Sequence, residues 1–144
     1  MPLVLRSAGV LFFSYAAFAG AGMPTAYLTA LVAPTFGLLT GSSEWLVMLP
    51  IVLASNLLAM LGLEYGWRYA AIVLSPAMLL APLVLAMLLP RQELFTVNLP
   101  WDEHAMNWVL LHGLVGLLGV LLALYVDRVR QRNASAAAAA RDAA

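Results

Sequence analysis

The sequence predicts an all-α polytopic membrane protein, a bundle of four transmembrane helices with a short cytoplasmic hairpin turn and a C-terminal tail. Three observations carry this. Of 144 residues, 64% are hydrophobic and only 10% are charged, against roughly 45 to 50% and about 25% in soluble domains. The mean hydropathy is +0.93. The charges gather at the ends of long apolar runs, where a bilayer would tolerate them; at its centre each costs at least ~2.5 kcal/mol.

The first run is the uncharged stretch 7–43. A spanning helix needs ~20 residues, so two full crossings and a turn do not fit, and one helix is expected at about 8–31. The remainder, with Pro34, Gly37, Gly41, Ser42 and Ser43, reads as an apolar loop near the interface. Arg6, the following apolar residues and Ala19-Gly20-Ala21 also have the outline of a secretory signal. A single arginine is a poor n-region, so the segment is expected to stay as a helix.

The second and third spans are expected at 45–63 and 69–89, separated only by Glu64-Tyr65-Gly66-Trp67-Arg68. So short a connection requires an antiparallel hairpin. The fourth span, 105–126, stops at Asp127-Arg128, and 127–144 forms a basic, then alanine-rich, tail. Residues 1–126 thus form the membrane domain and 127–144 a cytoplasmic extension, in which 127–132 lie along the headgroups and the alanine-rich 133–144 form a fraying helical extension.

Small residues recur four apart in every span (Ala16 and Gly20, Ser55 and Ala59, Ala71 and Ser75, Gly119 and Ala123), which lets helix backbones approach in lipid. Pro24, Pro50, Pro76 and Pro82 are expected to kink their helices, with Ser75 satisfying a carbonyl freed by Pro76. Trp45, Trp67, Tyr69, Trp101, Trp108 and Tyr125 fall at span ends, as interfacial belts do.

Four spans place both termini on the side that holds Arg6, Arg68, Arg128, Arg130, Arg132 and Arg141, leaving Arg91 alone with Glu44, Glu93, Asp102 and Glu103. The positive-inside rule then puts both termini in the cytoplasm. All seven basic residues are arginine, which points to a bacterial plasma membrane.

Several function classes fall away at once. No basic patch could grip a phosphate backbone, so nucleic acid is not a partner. The absence of cysteine excludes disulfides, thiol redox chemistry and thiolate-bound metal. No Asp, Glu, Lys or Arg lies mid-span, where ion-coupled transport and voltage sensing place one. Length and span number resemble the small multidrug-resistance exporters. That family relies on an acid in its first span, where this chain offers Ser14, Tyr15 and Thr25, and the resemblance ends at length.

Three groups of residues remain. His112 lies about 10 Å inside the fourth span, counted at 1.5 Å per residue, and Gly113, Gly116 and Gly119 leave a strip bare beside it. A haem or chlorophyll macrocycle, or a quinone, would use such a gap with the imidazole as ligand or contact; helix packing uses it equally well. Spacing on one helix prevents His104 and His112 from serving one iron together. Asp102, Glu103 and His104 carry metal-ligand chemistry, though capping of the fourth helix explains the two acids more simply. Asn56, with Ser55, is a mid-span amide that must find a partner and reads as interhelical glue.

These features point to a non-catalytic accessory or scaffold subunit of a larger membrane complex. Its partners would be the bilayer and other membrane subunits, or further copies of itself. A redox or pigment-binding subunit using His112 is the alternative, and an oligomeric transporter or channel lined by Asn56, Ser55, Thr25 and His112 the second.

Overall fold

The computed structural model describes residues 3–40, 43–66, 69–88 and 105–142. Among them every regular element is a helix: α1 Leu3–Ala21, α2 Met23–Phe36, a short 3-10 turn Gly37–Thr40, α3 Ser43–Tyr65, α4 Ala70–Leu88 and α5 Ala105–Asp142. Four of these, α1, α3, α4 and α5, are long and apolar enough to cross a membrane, and the fold is a helical membrane bundle.

The first span differs from the expectation. In place of one helix over 8–31 the structure has two, broken at Gly22. Gly22 adopts φ 92°, ψ −177°, a region that side-chain-bearing residues avoid. Its N–H donates to Phe18 O at 2.9 Å to close α1, and its carbonyl accepts from Ala26 N at 3.1 Å to open α2. Pro24 follows in the first turn, where its missing N–H has no helical acceptor to lose. One residue therefore reverses the chain. The length argument failed because it required ~20 residues for each pass within 7–43, whereas α1 begins earlier, at Leu3, and α2 has 14 residues with four more in the 3-10 turn.

The helix returning from this turn runs from one end of the bundle to the other. Tyr27, near the start of α2, donates to Glu64 near the end of α3, while Trp45 at the start of α3 donates its indole N–H to Pro34 O near the end of α2, at 2.8 Å. Fourteen α-helical residues and the four of the 3-10 turn rise about 29 Å together, close to the thickness of a hydrocarbon core. Thr35 Oγ1 donates to Val32 O at 2.6 Å, so side chains supply partners to carbonyls in the last turns of α2. Gly37 lies against the Trp45 indole, which a Cβ would strike.

Two layers form the core. Trp45, Met48, Val52, Leu83 and Trp108 pack together with Leu3 and Val4 at the end where α1, α3 and α5 begin. Leu11, Tyr15, Ala26, Ala30, Ala59, Met60 and Leu79 belong to the second layer, toward the Gly22 turn. Hence Leu3 and the emerging end of α5 lie at opposite ends of the bundle, because α1 and α5 run parallel: Ser7 meets His112 and Gly20 meets Arg130. Along the bundle α2 makes a pass of its own between α1 and α3.

Two other readings change. Trp45 and Trp108 are buried in the core rather than lying in a headgroup belt, whereas Tyr69 and Tyr125 are exposed; Trp67 and Trp101 lie outside the described residues. The fourth helix does not end at Val126, since α5 continues without interruption to Asp142.

Candidate functional site

A membrane core in which side chains are mostly apolar makes each buried polar group conspicuous, because hydrocarbon offers it no partner. Ser7, Ser14, Ser55, Asn56, Ser75 and His112 are the buried polar residues among those described. Ser14 stands apart, its hydroxyl without a partner among the described residues; the other five fall into two groups.

The first centres on His112. Its Nδ1 lies 2.8 Å from the Trp108 carbonyl one turn earlier. A carbonyl can only accept, so Nδ1 carries a proton. In the neutral ring Nε2 is then the acceptor, and the Ser7 hydroxyl, 2.8 Å away on α1, donates to it. The ring also stacks on Trp108, with centroids 5.4 Å apart and planes 9° from parallel. Both nitrogens are therefore engaged within the chain. Asn56 and Ser55 of α3 line a small cavity with Ser7 and His112. Thr25 is not among the lining residues and belongs to α2, where its carbonyl accepts from Thr29 Oγ1.

The second group is a relay of hydroxyls. Ser75 of α4 donates to Ala59 O of α3 at 2.7 Å. Having one proton, Ser75 must accept from Tyr15 of α1, whose hydroxyl lies 2.8 Å away. Ser75 thus ties three helices together; the sequence reading had it satisfying its own helix beside Pro76. Close backbone approach makes this possible, since a Cβ on Gly62 would lie 2.7 Å from the Ser75 Cα.

The glycine strip beside His112 is filled. Gly116 faces Leu79 and Pro76, Gly119 faces the Tyr15 ring, and Gly113 has Leu80 at van der Waals distance. A macrocycle there would have to displace α1 and α4, and an iron would have to take Nε2 from Ser7. His112, Gly113 and Gly116 accordingly form a packing seam in this structure. Asp102, Glu103 and His104, assigned to a metal or a cap from the sequence, lie outside the described residues, and among the described residues no three His, Cys, Asp or Glu come together around a potential ion.

Sequence reasoning singled out His112, Asn56 and Ser55 but missed Ser7 and Trp108 as the bonding and stacking neighbours of His112, and Tyr15 as the partner of Ser75. A signal for α1 existed: Ser7, Leu11, Ser14 and Tyr15 follow helical spacing, and all are buried. In a lipid-facing helix the small and polar stripe, more than the apolar one, marks the inside.

Comparison with protein-family models, with curated proteins and with solved structures finds no match to this chain.

Proposed function

We propose that this protein is a non-catalytic accessory or scaffold subunit of a larger membrane complex. One observation carries the reading: every side chain from Asp127 to Arg141 is exposed, yet the segment continues α5 as a helix. At 1.5 Å per residue it extends about 20 Å beyond the bundle. An arm exposed on every side has no packing face in its own chain, and helices in proteins gain most of their stability from packing. Within this chain the described tether is Arg130, which donates to Gly20 O at 2.6 Å. A partner surface is the natural support for the remainder. The inward engagement of His112, Tyr15 and Ser75 adds to the argument, since those groups serve helix packing.

The setting we infer is a bacterial plasma membrane, with the α5 arm in the cytoplasm. Among the described residues Arg128, Arg130, Arg132 and Arg141 belong to the end of the bundle carrying the arm, while Arg6 belongs to the other. Four against one supports the cytoplasmic assignment of the arm. With α2 counted as a crossing, the amino-terminal end faces the opposite compartment, unlike the two-ends-inside arrangement expected from four passes.

Native electrophoresis of gently solubilised membranes tests this. The chain is expected in an assembly several times its 15.4 kDa, and removal of 127–144 is expected to release it while the bundle stays folded. Recovery of the full chain as a solitary species that transports or converts a small molecule would defeat the proposal.

A further inference from the structure

The cavity between α1, α3, α4 and α5 is lined by Ser7, Ser55, Asn56 and His112 together with apolar side chains such as Leu11 and Met48. Asn56 is only 1% exposed, and its Nδ2 finds no acceptor among the described residues. Leaving amide protons unmet in a hydrocarbon setting is costly, so a partner is demanded where the side chain lines open space. Ser7 adds the complementary need. Its proton is committed to His112 Nε2, which leaves lone pairs on its oxygen able to accept.

A ligand for this place must accept from Asn56, donate to Ser7, carry no charge and be very small. Space for the centre of a water-sized sphere amounts to about 10 Å³, close to the least that one water occupies, and a buried water requires two to four polar partners. An ion is disfavoured because no carboxylate, lysine or arginine lines the cavity and both ring nitrogens of His112 are already engaged. We infer that Asn56 and Ser7 form a built hydration site that holds a single structural water beside His112, linking α1, α3 and α5. This goes beyond the scaffold reading and does not depend on it.

Nuclear magnetic resonance of the full chain in lipid nanodiscs, labelled with 15N-asparagine, provides the test. The expected result is a direct water cross-peak to the Asn56 side-chain amide, comparable in intensity to that of the exposed Asn133 although Asn56 is buried. Asn56→Leu should abolish the signal; if that variant does not fold, sequential assignment from Ser55 identifies the resonance without substitution. Ser7→Ala should at least halve the transfer by removing one partner. An Asn56 amide that contacts only lipid or protein protons overturns the inference, as does a cross-peak unchanged in Ser7→Ala.

Discussion

A serine hydroxyl has one proton and two lone pairs, and the core of this protein turns on how two serines use them. Ser75 gives its proton to Ala59 O and accepts from Tyr15. Removing the serine strands a buried phenol, whereas removing the phenol leaves Ser75 still bonded. Ser75→Ala should therefore destabilise more than Tyr15→Phe: about 1 to 3 kcal/mol when a buried group is stranded, against about 0.5 to 1.5 for an ordinary bond. Interhelical bonds in bilayers average nearer ~0.6 kcal/mol, so the order of the two variants in reversible unfolding from mixed micelles is the check; the reverse order would mean that the protons run the other way. At Gly22, φ is 92° and any side chain incurs backbone strain. Gly22→Ala should cost about 1 to 3 kcal/mol, read in the same assay, while Gly20→Ala, at an ordinary helical position, should cost little.

Helices, more than residues, show what the sequence made legible. The second and third spans were expected at 45–63 and 69–89 and occur as Ser43–Tyr65 and Ala70–Leu88, because charged or turn-forming residues bound each apolar run. The fourth began where expected but did not end there. Asp127-Arg128 stops the hydrophobic run without stopping hydrogen bonding along the helix, since arginine and alanine are good helix formers. The first span was misread for the opposite reason: with no charge at Gly22, hydropathy passes through the turn unmarked. A pattern was nonetheless present, as Ala26, Ala30 and Pro34 lie four apart and form the buried face of α2. In the site, His112 and Asn56 stood out as isolated polar groups. Ser7, on a helix read for its apolar length, could be matched to His112 only by folding, as the pair is separated by 105 positions. Trimming α5 offers an element-scale test: a chain ending at residue 127 should keep its thermal transition within about 0.5 kcal/mol, as expected for exposed surface. A large loss would mean that Arg130 and Gly20 clamp the bundle.

Considered as a molecule, the described helices run five times along the bundle, and Leu3 and the root of the α5 arm lie at opposite ends of it. With no native cysteine, single-cysteine variants report sidedness directly. A cysteine at residue 3 and one at residue 135 should react with a membrane-impermeant maleimide from different faces of sealed vesicles. Labelling of both from one face would restore the four-pass arrangement. The long fifth helix has a mechanical consequence as well. It contains no proline, and the same rod that carries the exposed arm carries the His112 ring against Ser7. Between Asp127 and His112 the helix is unbroken, so a torque applied to the arm would reach the core along one continuous rod.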